Sequence, residues 1–480
     1  LILAAVRWLA DKRAGESPFK ILEELVMRAV PTPRRTGKWL TGLAIFCTCS
    51  QATRTFAEDW PQWLGAKRDA IWRESGIVDK FPAGGPTIKW RAPIDAGYAG
   101  PAVANGKVYV TDRVLAKGAA NPKDPMKTTE TPSIERVLCL NEADGKVLWD
   151  HSYNCPYSIA YPLGPRTTPI IQDGKVYTLG AEGNLVCLNA ETGSPVWEHD
   201  LKKEYNVKAP IWGFSSHPLV DGNKLYCVVG GEGSTAVAFD KDSGKEVWRA
   251  LTAKEPGYCP PMIFEAGGKR QLIIWDGDSV NGLDPETGKV YWTQAAMPSY
   301  GMAISTPRKA DDLLFLTGYE HCAVMLRLAQ DHPAADVMWR GEKKKRNGFY
   351  SVFSTPFIED GYIYGTDGGG ILRCIKASNG ERVWESLAPT NGKKLGSADN
   401  FLIKNGDRFF IVNEKGDLII AKLTPKGYEE QSRAHVLDPD SQSKAFGRTV
   451  LWSHPAFADR CAFMRNDKEI VCVSLAAEIK

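Results

Sequence analysis

The stretch Thr168 to Trp197, TPIIQDGKVYTLGAEGNLVCLNAETGSPVW, decides the fold. It holds three short apolar runs, Pro169 to Ile171, Val176 to Leu179 and Leu185 to Leu188, and a fourth that ends on Trp197. Asp173-Gly174 and Thr192-Gly193 tolerate positive φ and close tight hairpins, while Ala181 to Asn184 makes a looser link. The spacing predicts a four-stranded antiparallel meander, strands A to D. One such sheet cannot bury both faces, so copies of it must stack on one another.

Copies recur along the chain. Trp149, Trp197, Trp248, Trp292, Trp339 and Trp384 close successive units, with gaps of 48, 51, 44, 47 and 45 residues. In five units a small residue on strand C lies ten positions before the Trp, pairing Cys139 with Trp149, Cys187 with Trp197, Ala238 with Trp248, Gly282 with Trp292 and Cys374 with Trp384. A small side chain leaves room for an indole to lie flat. A seventh unit, from Phe401 to about Val436, has Gln431 where the spacing predicts Trp, and its docking contact is expected to be weaker. An eighth, from Pro455, stops near Ser474 without a strand D, and Thr87 to Ile94 (TIKWRAPI) is a strand D without strands A to C. Joining the two closes a ring and removes the open sheet edges, which predicts an all-β, eight-bladed propeller over residues 87–480.

Ahead of the ring, the chain divides into three. Residues 1–26 read as an upstream extension of the reading frame. Residues 27–57 follow signal-peptide grammar, with Arg34-Arg35, an apolar centre from Trp39 to Ser50 and small residues to Ala57, which predicts export to the periplasm or beyond. The apolar centre is short for a bilayer span, so no transmembrane helix is expected in the mature chain. Residues 58–86, with WPQW at Trp60 to Trp63, form a lead-in segment expected on the outside of the ring.

Composition narrows the function. Residues 1–57 carry 9 Lys/Arg against 4 Asp/Glu, which leaves 51 against 53 in the remainder. A nearly neutral body without a basic stripe does not single out nucleic acid as a partner, and 343–346 (KKKR) reads as a solvated run. The 11 cysteines do not form a disulfide framework, because those at the strand C position of neighbouring blades lie about a sheet spacing of ~10 Å apart. Cys155 and Cys259, in segments between blades, are the one pair worth testing.

The pattern of a small residue followed by L/F-D/N-x-x-T/S-G-K-x-x-W resembles the tryptophan-docking repeat of the pyrroloquinoline quinone (PQQ) family of eight-bladed β-propellers. The lead-in WPQWLGAKRDAIW is similar to one in exported members of that family whose function is mostly unassigned. The family includes PQQ-dependent alcohol dehydrogenases and the propeller lipoprotein of outer-membrane barrel assembly. The resemblance therefore implies a fold and leaves the function open.

Tight A–B and C–D turns share one face of a propeller, and B–C loops and the crossings from strand D to the next strand A share the other. The crossings carry Tyr98, Tyr161, Arg166, Trp212, His217, Tyr258, Tyr300, Tyr350, Phe353, Asp399, Asn400, Trp452 and His454, expected to ring the mouth of the central channel. An aromatic funnel with few polar groups suits a protein or small-molecule ligand, and blade-to-blade packing is the competing role. His217 and His454 occupy equivalent positions before Pro, which favours a structural role. Asp399-Asn400 departs from Ser305-Thr306 and Ser354-Thr355, which makes it the first polar candidate.

Two functions follow. The first is a monomeric binding or scaffold module. The second is a PQQ-dependent dehydrogenase, in which Trp212 or Trp452 stacks on the quinone, Arg166 pairs with its carboxylate, Asn400 helps hold Ca²⁺ and Asp399 is the catalytic base. The chain lacks the adjacent Cys-Cys pair and the C-x-x-C-H haem site that many such enzymes carry.

Overall fold

A computed structural model describes residues 58–342, 347–443 and 447–478. The expected leader and the 343–346 run fall outside them. Blade 2 is the quoted stretch, with strands A to D at Ile170–Gln172, Lys175–Leu179, Asn184–Asn189 and Pro195–Asp200. Each of the eight four-stranded sheets among the described residues is an antiparallel meander of this kind. Blades 1 and 3 run from Ala102–Ala104 to Val147–Asn154 and from Leu219–Asp221 to Glu246–Ala250. Blades 4 and 5 run from Met262–Ala266 to Val290–Ala295 and from Arg308–Ala310 to Ala335–Arg340. Blades 6 and 7 run from Phe357–Glu359 to Arg382–Ser386 and from Asn400–Asn405 to Gly427–His435. Blade 8 takes strands A to C from Ala456–Ala458, Cys461–Arg465 and Glu469–Ser474, and its strand D is Ile88–Pro93. The isolated strand of the sequence does close the ring.

The docking tryptophans face the predicted small residues across the C–D ladder, at Cys139, Cys187, Ala238, Gly282 and Cys374. Trp339 faces Met325 and Trp90 faces Cys472 in the same register, and a bulge on strand D precedes the Trp in every case. Six of the seven indoles also bond to the next blade. Trp149 lies over Gly193 and donates its N–H to the Ala190 carbonyl at 3.2 Å, and Trp197 does the same with Gly244 and Lys241 at 3.0 Å. Trp90 of blade 8 donates to Glu142 of blade 1 at 2.7 Å, so the closing seam is bonded in the same way. The Trp is therefore a staple between blades as well as a lid on its own sheet. Blade 5 has no glycine of this kind in its C–D turn, and Trp292 instead donates to Gln271 Oε1 in its own blade at 2.6 Å.

Gly193 has φ +70, and a Cβ there would meet the Trp149 ring at 2.5 Å. Gly193→Ala is expected to cost roughly 2 kcal/mol or more, from left-handed backbone strain and a displaced indole. Urea unfolding measures it, and a cost below about 0.5 kcal/mol would refute the seam contact.

Blade 7 corrects one expectation. The residue opposite Ile420 is Ser432, and Gln431 is the bulged position. The longer turn in blade 7 shifts the spacing. Ser432 Oγ accepts a hydrogen bond from the backbone of Phe81, so the lead-in segment sits where the other blades have a Trp.

The lead-in segment is outside only in part: Phe81 lies on the outer strand of blade 7, whereas the stretch before it turns inward. Trp60 pairs with Val103 on strand A of blade 1, and Ile171 of blade 2 donates to the Pro61 carbonyl. Trp72 and Ala70 bracket Lys404 of blade 7, and Arg308 of blade 5 donates to the Asp69 carbonyl at 2.7 Å. These partners lie on innermost strands, so residues 60–72 occupy the axial channel. Arg68, 3 % exposed, donates to the carbonyls of His217, Pro218 and Pro261, which ties the entries of blades 3 and 4 to the segment. Burial pulls its guanidinium down to about 9. No helix among the described residues is long and apolar enough to cross a membrane.

Candidate functional site at the channel mouth

Blades 2, 5 and 6 enter strand A through paired Ser or Thr and blades 3 and 8 through Ser-His, and these entries form a belt of bonds around the channel. Thr168 N–H donates to His217 Nδ1 at 2.9 Å, Ser216 Oγ to the Cys259 carbonyl at 2.8 Å and Ser305 Oγ to the Ser354 carbonyl at 2.8 Å. Ser354 Oγ continues the belt to Asp399 Oδ1 at 2.7 Å. Short hydroxyl side chains are what the crowded axis admits, which accounts for the Ser/Thr bias of these positions.

From the A–B turn side, Trp63 projects up to this belt. Its ring stacks on His217 with centroids 3.8 Å apart, lies 4.6 Å from His454, and donates its N–H to Thr306 Oγ1 at 2.9 Å. Burial, with Arg68 nearby, holds His217 well below the ordinary imidazole range, and burial lowers His454 to about 4. His454 donates from Nδ1 to the Pro455 carbonyl. Nothing in the repeat pattern signals that a segment outside it covers both imidazoles.

On the crossing side, the expected funnel divides. Trp452 packs against Tyr98, Tyr161 and Phe353, with centroids 6.2, 6.0 and 5.0 Å away, so rings from the crossings into blades 1, 2 and 6 meet at one indole. Its Nε1 is buried without a partner. Arg166 lies over the Tyr98 ring at 5.2 Å and spends both Nη atoms on the carbonyls of Ala160, Tyr161 and Gly164. Trp212 meets Tyr258 edge to face at 5.7 Å. Tyr350 and Tyr300 depart from the expected ring. Tyr350 turns outward against Gly341 and His321, between blades 5 and 6. Tyr300 stands 73 % exposed beside Tyr319, in a turn that holds it at φ +57.

Asp399 is buried, with Oδ1 on Ser354 and Oδ2 without a partner. Burial, reinforced by the neighbouring Glu414, pushes its carboxyl up to about 8. Asn400 donates to the Thr366 hydroxyl and the Gly370 carbonyl, and its Oδ1 has no partner. The two cysteines singled out for a disulfide also lie apart in the packing. Cys155 sits against Asn184 in one cluster, and Cys259 against the Pro260 and Ser305 carbonyls in another.

These residues do not fit PQQ with Ca²⁺. A quinone needs a flat slot, an available cationic partner and anionic ligands for its metal. Here three rings crowd Trp452, backbone carbonyls occupy Arg166, and Asp399 is disposed to hold its proton. Among the described residues, no group of three or more His, Cys, Asp or Glu side chains is placed to hold a metal.

Comparison with known proteins agrees with the fold. Residues 133–330 and 237–475 match the family described as outer membrane protein assembly factor BamB. Among solved structures, BamB from Moraxella catarrhalis is 16 % identical, covers 78 % of this chain and 99 % of its own, and superposes with a TM-score of 0.49. A europium-containing methanol dehydrogenase is 13 % identical, with 76 % and 89 % covered and a TM-score of 0.43. The quinohemoprotein alcohol dehydrogenase from Comamonas testosteroni is 13 % identical, with 88 % and 81 % covered and a TM-score of 0.40. No curated protein matches. With the family match running over more than half of its length and eight four-stranded blades in place, the chain belongs to the PQQ/BamB family of eight-bladed β-propellers.

Proposed function

We propose that this protein is an exported, monomeric binding or scaffold propeller that holds a protein or a small ligand at its crossing face. The observation that carries this reading is the filled axis, with Trp63 on one side of the entry belt and the Trp452 cluster on the other. Binding then falls to the rim, where Ile211, Met297 and Tyr300 are 43 %, 64 % and 73 % exposed. Tyr and Met are common anchors at protein interfaces. Export rests on the leader expected at 27–57 and on membership of a family named for outer-membrane assembly.

The competing reading is a PQQ- and Ca²⁺-dependent alcohol dehydrogenase. Titrating the mature protein with PQQ and Ca²⁺ separates the two. The scaffold reading expects no change in quinone absorbance, no rise in melting temperature and no dye reduction with a panel of alcohols. Saturable binding with turnover that Asp399→Ala abolishes would replace it with the dehydrogenase.

A further inference from the structure

Blade 8 departs from its repeat at two positions that meet in space. Blades 1, 2 and 3 begin strand B with Lys107, Lys175 and Lys224, whereas blade 8 begins it with Cys461. Just before the docking Trp, blades 1, 2, 3 and 6 carry Leu148, Val196, Val247 and Val383, whereas blade 8 carries Lys89. The two changes are complementary, because Lys89 Nζ reaches over strand C to lie 3.5 Å from Cys461 Sγ. No carboxylate among the described residues pairs with Lys89.

A third group completes the constellation. On strand C, Cys472 faces Phe463, two residues along from Cys461, which puts both thiols on one face of the sheet. The register sets them on the diagonal, Cys461 opposite Ser474 and Cys472 opposite Phe463. In blades 1, 2 and 6 the strand C cysteine instead faces a tyrosine, at Tyr109, Tyr177 and Tyr364. Phe463 has no hydroxyl to offer Cys472, and the diagonal neighbour on strand B is Cys461. Cys461 is buried, but it directly follows the exposed A–B turn at Asp459-Arg460, whose residues have φ +44 and +53.

We infer that Cys461 is a site of peroxide oxidation, with Lys89 stabilising its thiolate and Cys472 resolving the product into a disulfide across strands B and C of the ring-closing blade. The Cys461 sulfur attacks one oxygen of a hydroperoxide, the O–O bond breaks, an alcohol or water leaves, and a sulfenic acid forms. The Cys472 sulfur then attacks that sulfur, the S–O bond breaks, and the hydroxyl leaves as water with the Cys472 proton. Two thiols and one hydroperoxide yield one disulfide, one alcohol and one water, with two electrons passing from sulfur to oxygen. A diagonal pair is farther apart than a directly opposed one, so the bond draws the start of strand B toward strand C. The Cys472 contact and the Lys89 ammonium hold the Cys461 thiol below its ordinary range, whereas burial pushes Cys139 up to about 11 and Cys187 and Cys374 up to about 12.

The test treats the folded protein with stoichiometric hydrogen peroxide, followed by alkylation and peptide mapping. The first product expected is the Cys461–Cys472 linked peptide, two hydrogens lighter than the reduced pair. Cys472→Ser should divert the reaction to a dimedone adduct on Cys461. Lys89→Met, on an exposed side chain that leaves folding intact, should slow oxidation about tenfold, in proportion to the thiolate lost with the ammonium. Oxidation that begins at any other cysteine, or that proceeds at an unchanged rate in Lys89→Met, overturns the inference.

Discussion

Trp63→Ala is expected to lower the free energy of unfolding by about 3–5 kcal/mol, the range for deleting a large buried aromatic. The indole is 8 % exposed, stacks on His217 and bonds to Thr306. Its removal opens a cavity at the axis, where the entries of several blades converge and none can collapse inward without breaking the belt. Two contributions add, the lost transfer of the indole to the interior and the unpaired Thr306 hydroxyl. Urea unfolding of the mature protein reads the cost. The channel-filling role predicts a further effect that simple core packing does not. With the stack gone, His217 and His454 gain access to water, and their acid-side titration should move toward the ordinary imidazole range. A loss below about 1 kcal/mol with unshifted imidazole titration would show that Trp63 does not seal the axis.

That prediction rests on a contact that local sequence does not encode. The blades were legible because each is a self-contained pattern of about 45 residues, in which a turn glycine and a Trp stand at a fixed offset. The ring closure was legible too, since a strand without a blade and a blade without a strand imply each other. The seam was half legible. The spacing from Cys187 to Trp197 lies within one unit, but the carbonyl that Trp197 finds, on Lys241, belongs to the next. The inward course of residues 60–72 was missed because the lead-in has no repeat to align with. Its partners, such as Thr306 for Trp63 and Asn405 for Trp72, lie hundreds of residues away. A signal was present in Trp60, Trp63 and Trp72, three large apolar side chains in a stretch with no strand pattern of its own. Such a density needs a cavity to fill, and the axis of a propeller is one. Counting strands assigns the crossing residues to one face. Counting could not separate Tyr300, which points to solvent, from Trp452, which gathers three rings, since both are aromatic residues at equivalent crossings.

Asp399→Asn is expected to flatten the dependence of stability on pH. Asp399 is the one crossing residue with a carboxyl at the entry belt, and its folded value of about 8 stands well above the 3.8 of an unfolded chain. The native state therefore binds this proton more tightly than the unfolded state does. Its contribution to stability is full below about pH 4, falls as the pH rises toward 8, and is constant beyond, when both states are ionised. The fall is at most on the order of 5 kcal/mol, at ~1.4 kcal/mol for each pH interval of one between the two values. The groups around it explain why ionisation is resisted. Ser354 offers one hydroxyl to Oδ1, Oδ2 has no donor, and the nearby Glu414 carboxylate, itself held by Arg448, repels a second negative charge. An amide in place of this carboxyl keeps the Ser354 bond and cannot ionise. Other groups titrate in the same window, Glu142 among them at about 7, so the quantity to measure is the difference between the two proteins from pH 5 to 9. The wild type should lose stability relative to Asp399→Asn by several-fold more at pH 8.5 than at pH 5. Parallel curves would mean that Asp399 is ionised throughout, and a buried anion at the channel mouth would then require a cationic partner. That outcome would reopen the case for a bound metal at this position, which ties the charge state of one carboxyl to the choice between scaffold and dehydrogenase.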